Sequence, residues 1–119
     1  MTRRRGSGIG LGPSEDGDDA LMDEGYVEAV LSAVEQIPPG QVASYGDIAE
    51  YVGAGGPRLV GRVMATQGAG VPWWRVVRAD GRPVRGLEPS ALERLRAEGA
   101  ALRGDRVDMG RSRWRPSLS

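Results

Sequence analysis

Residues 71–81 read VPWWRVVRADG and set two of the chain's 3 tryptophans side by side, between a proline and an arginine-valine run. An indole pair offers broad flat apolar faces and no nucleophile. It could wall a recess for a planar ligand, or it could pack an ordinary core strand. The groups that would turn such a recess into a reaction centre are missing, because none of the 119 residues is cysteine or histidine. That removes thiolate nucleophiles, disulfides, thiolate and imidazole metal ligands, and the commonest general base together. Carboxylates such as Asp47 and Asp80 remain, but Asp47 is accounted for by helix capping and Asp80 by a turn.

The formal net charge is zero, yet its distribution is uneven. Residues 1–51 carry 3 arginines against 10 acids, a balance of −7, and residues 52–119 carry 13 against 6, a balance of +7. Every basic residue is arginine, whose planar fork suits phosphate and stacks on bases. The second half is therefore the candidate polyanion-binding surface. No apolar run approaches the length of a membrane helix, and the arginines at 3–5 precede glycine, serine and acids rather than an apolar segment. The expectation is a soluble cytoplasmic protein, with one core of modest size and no membrane partner.

These side chains must be held by elements that the sequence marks locally. Residues 1–22 are glycine-rich and then acidic, without periodicity, and are expected to be disordered; residues 23–119 form the expected domain. From Asp23, the apolar residues Val27, Val30, Leu31 and Val34 recur at helical spacing until Pro38-Pro39-Gly40. Ser44 with Asp47 three residues later predicts a capping box opening a short helix that Gly53 ends. Pro57 suits the first position of a second helix with Leu59, Val60, Val63 and Met64 on one face. Two short helices joined by a glycine turn make a helix-turn-helix. The opposite face of its second helix offers Arg58, Gly61, Arg62 and Ala65. Residues 74–78 are expected as a strand, turning at 79–81 into 82–85 as a hairpin. Residues 89–98 are expected as a last helix with Leu92 and Leu95 inward, and a short strand or wing is expected near Arg106 to Met109.

Four blocks in order, Ile37-Pro38-Pro39-Gly40, Ser44-Tyr45-Gly46-Asp47-Ile48-Ala49, Arg58-Leu59-Val60-Gly61-Arg62-Val63-Met64 and Pro72-Trp73-Trp74-Arg75-Val76-Val77, resemble the DNA-binding domain of the O6-alkylguanine-DNA alkyltransferases. The likeness is greater to the alkyltransferase-like branch of that family, and it runs from about Tyr26 to about Gly86. It implies a mainly α, winged helix-turn-helix-like fold with a small β-hairpin or wing, the alkyltransferase C-terminal domain. In the repair enzymes the last block is Pro-Cys-His-Arg-Val, whose cysteine accepts the alkyl group. Here Trp73 stands at the cysteine position and Trp74 at the histidine position, so alkyl transfer by that mechanism is chemically impossible. The branch commonly has the tryptophan but keeps the histidine, so Trp74 departs from its pattern.

The resemblance implies a non-enzymatic sensor that binds duplex DNA through the minor groove, flips O6-alkylguanine into a pocket and flags it for nucleotide excision repair proteins. It would act as a cytoplasmic monomer, nucleoid-associated when bound, without cofactor or metal. The DNA-facing residues it implies are Ser44, Tyr45, Arg58, Gly61 and Arg62, and the lesion pocket would hold Tyr45, Met64, Trp73, Val76 and Arg85. Arg58 would fill the space left by the flipped base, or it is a surface arginine whose charge opposes the helix dipole. Gly61 costs roughly 1 kcal/mol against alanine in a helix, which suits either close approach of a sugar-phosphate wall or tight helix packing. Arg82 would serve nearly as well as Arg85 to close over a base. Arg75 is expected in a structural ion pair, and Trp74, opposite to Trp73 on an alternating strand, in the core. Two rival readings are a winged helix-turn-helix transcriptional regulator reading sequence in the major groove, for which Gly61 and Ala65 are poor readers, and an enzyme using Asp47 or Asp80.

Overall fold

The computed structural model describes residues 23–116, so the acidic stretch 1–22 lies outside the described residues. Helix α1 (Glu24–Glu35) begins where Asp23 accepts a hydrogen bond from the Tyr26 amide at 2.8 Å. It buries Tyr26, Val30, Ala33 and Val34, and leaves Val27 and Leu31 half-buried. Strand β1 (Ala43–Ser44) leads directly into α2 (Tyr45–Val52). The expected capping box is present: Ser44 Oγ accepts from the Asp47 amide at 3.0 Å and Asp47 accepts from the Ser44 amide at 3.1 Å. Gly53 closes α2 at φ +84°, a left-handed cap that glycine adopts without a Cβ penalty. After the turn, Pro57 occupies the first position of α3 (Pro57–Gln67), where its missing amide hydrogen would be unbonded anyway.

Helices α1, α2 and α3 pack around one apolar core, to which Ile37, Ala43, Ile48, Leu59, Val60, Val63 and Val76 all contribute. A second, smaller cluster of Val42, Val77, Leu95 and Val107 lies against α4 (Glu88–Ala97) and carries half-buried Trp74. Adjacent pairs couple the two: Val42 and Val77 belong to the small cluster, their neighbours Ala43 and Val76 to the large one. Such alternation is the period-two geometry of a strand.

The expected hairpin over 74–85 does not form. Residues Trp73–Arg75 are a turn of 3-10 helix, and β2 is only Val76–Val77. It pairs in parallel with β1, Ala43 opposite Val76 and Ser44 opposite Val77. The turn at 78–81 closes through its own backbone bonds, with the Arg78 amide donating to Arg82 O at 2.8 Å, and 82–87 continues as an irregular loop. The antiparallel hairpin among the described residues lies later, where β3 (Leu102–Arg103) pairs with β4 (Arg106–Val107), the latter within the span expected as a short strand or wing. A short α5 (Met109–Ser112) follows, and the chain returns to the core by a bridge between Arg113 and Val42.

Candidate nucleic-acid interface and base pocket

The helix-turn-helix presents α3 with Leu59, Val60 and Val63 buried and with Arg58, Arg62 and Ala65 exposed. Beside it opens a half-open recess of about 310 Å³, the lower end of the range for small-ligand pockets. One wall is α3 itself, through Gly61, Met64 and Ala65. Tyr45, the first residue of α2, and Trp73 of the 3-10 turn stand beside it, and Val84 with Leu87 close the rim from the loop. The side chains are almost all apolar, and only Tyr45 and Trp73 bring polar atoms. That suits a flat aromatic ligand bearing an alkyl group better than a charged one.

The wall residues are set by packing. Burial raises the Tyr45 phenol pKa above its ordinary value, with the Arg78 charge opposing only in part. The hydroxyl therefore stays protonated at neutral pH and keeps a proton to donate. A Cβ added at Gly61 would meet nothing within 4 Å. Among the described residues, tight helix packing therefore does not explain that glycine.

Trp73 and Trp74 diverge, although through the turn of 3-10 helix and not through strand alternation. Their rings meet edge to face, 87° apart with centroids at 5.7 Å. Trp73 lines the recess. Trp74 packs on the small cluster and donates from Nε1 to Glu98 at 2.9 Å. Glu98 also accepts from the Gly40 amide at 3.0 Å and pairs with Arg75 at 2.7 Å, while Arg75 donates to Ile37 O. Arg75 is thus the structural ion-pair residue that was expected. Burial would push the Glu98 carboxyl upward, but these donors together hold it below its ordinary value.

Three expected site residues do not line the recess. Val76 is 1% exposed, sits in the large core opposite Ala43, and does not wall the recess. Its strand is paired, so its side chain serves the packing beneath the site. Ser44 is 7% exposed, and its hydroxyl oxygen accepts the cap bond of α2 from the Asp47 amide. Arg85 is exposed on the loop between Val84 and Leu87, which supply the wall in its place. Arg82, the alternative to it, is tied to Asp80 at 3.1 Å. Tyr45, Met64 and Trp73, expected together in a pocket, line the recess, and Gly61, expected on the DNA-facing surface, lines it with them, while Arg58 and Arg62 lie on the exposed face of α3.

Arg94 and Glu98 were missed. The Arg94 guanidinium lies 4.7 Å from the Trp74 ring centroid and 5.7 Å from that of Trp73. Nothing local in the sequence signals these contacts, which join α4 to a turn some twenty residues earlier.

The carboxylates proposed for an enzyme are otherwise engaged. Asp47 is partly buried, which raises its pKa, but Arg113 and the Ser44 cap bring the net value below the ordinary one. Asp80 accepts from the Arg82 amide and is also lowered. A general base working near neutrality needs the opposite shift. Among the described residues no group of three or more Asp or Glu side chains is placed to hold a metal, and no helix is long and apolar enough to cross a membrane.

Residues 26–100 match the family model described as the DNA-binding domain of 6-O-methylguanine DNA methyltransferase. The chain is 30% identical over 101 residues to a DNA base-flipping protein of Vibrio parahaemolyticus, covering 80% of this chain and 100% of that one. It is 39% identical over 88 residues to alkyltransferase-like protein 1 of Schizosaccharomyces pombe, covering 68% of this chain and 81% of that protein. Its fold superposes with a TM-score of 0.68, at 29% identity, on the crystal structure of S. pombe Atl1 in complex with damaged DNA containing O6-carboxymethylguanine, over 79% of this chain and 98% of that one.

Proposed function

Because the chain belongs to the family of the 6-O-methylguanine DNA methyltransferase DNA-binding domain, we propose that it is a non-enzymatic DNA-damage sensor, which flips O6-alkylguanine out of duplex DNA and holds it. The observation that carries this reading is the recess shared by Trp73, Tyr45 and the bare Gly61 face of α3, directly beside the exposed arginines of the helix-turn-helix. Extruding a base costs a few kcal/mol. Stacking on an aromatic returns about 1 to 3 kcal/mol per base, so a tryptophan wall offsets a large share of the cost.

Arg58 and Arg62 bind the backbone side of the groove, with Arg58 filling the vacated stack, and Gly61 admits the sugar-phosphate wall. Since the alkyl-accepting cysteine position holds Trp73, the lesion is retained unrepaired. The monomeric complex, on the nucleoid in the cytoplasm, marks it for nucleotide excision repair. That last step is supported by the family resemblance alone. The names of the relatives, a DNA base-flipping protein and an alkyltransferase-like protein, support the flipping and the loss of transfer chemistry.

Binding of duplexes that differ only in one guanine or O6-methylguanine tests the reading, measured at one fixed salt concentration and followed by mass measurement of protein and DNA. A preference for the modified duplex with both masses unchanged is expected. Equal affinity would instead favour a sequence-reading regulator, and a transferred alkyl group or lost base would overturn the non-enzymatic reading.

A further inference from the structure

Trp73 forms a wall of the recess without an anchor of its own. Among the described residues its indole N–H donates no hydrogen bond, and its ring is only half-buried. Trp74 is fixed in contrast, by its bond to Glu98 and by the Arg75 guanidinium 5.4 Å from its ring centroid. What ties the loose ring to the fixed one is the edge-to-face contact between them and Arg94, which spans both. Arg94 is exposed in the last turn of α4, and among the described residues it makes neither an ion pair nor a hydrogen bond. Its guanidinium lies over both indole rings. A guanidinium over an aromatic face is held by the ring quadrupole, most strongly over tryptophan. Arg94 is also absent from the lining of the recess, so it lies behind the wall rather than in the ligand's place.

We propose that Arg94 is a positioning residue for lesion recognition: it pins the Trp73 indole through paired cation-π contacts, so that the wall is already in place when the base arrives. This rests on the lesion-binding function proposed above. A wall ordered beforehand spares the entropy of ordering it on binding. The gain goes to the base that enters the recess and not to the phosphates, which every duplex presents alike.

The test uses the full chain with Arg94→Gln and Arg94→Lys. Affinities for guanine and O6-methylguanine duplexes are measured over a salt series, and the tryptophan indole N–H signals are recorded by ¹⁵N NMR without DNA, with Trp73→Phe assigning the Trp73 signal. Arg94→Gln is expected to lower the preference for the modified duplex about three- to tenfold, to leave the salt slope unchanged and to move the Trp73 indole signal. Arg94→Lys retains the charge and is expected to keep most of both. A parallel loss on the two duplexes, with the salt slope reduced by about one, makes Arg94 a phosphate contact and overturns the proposal. An unchanged preference overturns it as well. If the wild-type chain does not distinguish the duplexes, the lesion function fails by itself. The indole signal then decides for Arg94: moved in Gln and kept in Lys supports the pinning, and unmoved in Gln overturns it.

Discussion

Trp74 and Glu98 are joined by a 2.9 Å hydrogen bond from the indole N–H to a carboxylate that also pairs with Arg75 at 2.7 Å. The same carboxylate caps the turn at Gly40. One side chain at the end of α4 thus fastens the turn carrying both tryptophans to the loop before β1. The Arg75–Glu98 pair is largely screened from water, with side-chain exposures of 13% and 16%.

Glu98→Gln is expected to lose about 2 kcal/mol of stability at neutral pH, because Arg75 keeps its charge without a counter-charge. The Glu98 pKa is lowered on folding, so its contribution is present above the unfolded value of about 4.5 and disappears as the pH falls through the folded value. Denaturant unfolding of both proteins between pH 7 and pH 3 checks this. The gap should narrow on acidification, and a gap that widens would contradict it.

The two adjacent tryptophans should separate by phenotype. Trp73→Ala is expected to weaken binding to an O6-methylguanine duplex by about 1 to 3 kcal/mol, roughly five- to 150-fold, with a small effect on stability. Trp74→Ala is expected to cost about 2 kcal/mol of stability, since it empties part of the small cluster and removes a donor from Glu98. Thermal unfolding and duplex titration of both variants would show the split. Equal effects of the two on both measurements would refute it.

Gly61→Ala sets stability against function in one residue. The added methyl meets no atom of the described residues within 4 Å, and alanine is a better helix former by about 1 kcal/mol, so the variant should unfold at higher denaturant. Its affinity for duplex DNA should fall if a sugar-phosphate wall occupies that space. A variant that is more stable and binds equally well would show that the glycine does not serve close approach.

Asp47 connects the cap of α2 to the end of the chain, since Arg113 donates to it from Nε at 2.9 Å. Ser44→Ala should cost about 1 kcal/mol by removing the cap bond. Arg113→Ala should cost at most about 1 kcal/mol, because its side chain is 40% exposed. Chemical denaturation distinguishes them, and a larger loss for Arg113→Ala would reverse the ranking.

The helix-turn-helix was legible because its signals are local. Ser44 and Asp47 lie one turn apart, Gly53 supplies a left-handed cap, Pro57 needs no amide hydrogen, and each of these acts within a few residues. The ion pair expected of Arg75 was found with Glu98 as its partner, a residue no spacing could nominate from 23 positions away. The hairpin expected after Trp74 failed for a related reason. A valine-rich run specifies an extended backbone but not its partner, and Val76–Val77 pairs with β1, which leads into α2, instead of with the residues that follow it.

The sequence by itself determined that this chain has no thiolate or imidazole side chain, and that two adjacent tryptophans stand in the block that resembles the acceptor block of the repair enzymes. Composition and position decide both, and no folding can change them. Only the tertiary structure decided that Trp73 faces a recess while Trp74 is bonded to Glu98, that Val76 is core, and that Arg94 lies across both rings. Those facts depend on contacts between segments far apart in the chain, and such contacts follow from how the packed helices and the parallel strand pair share their buried surface.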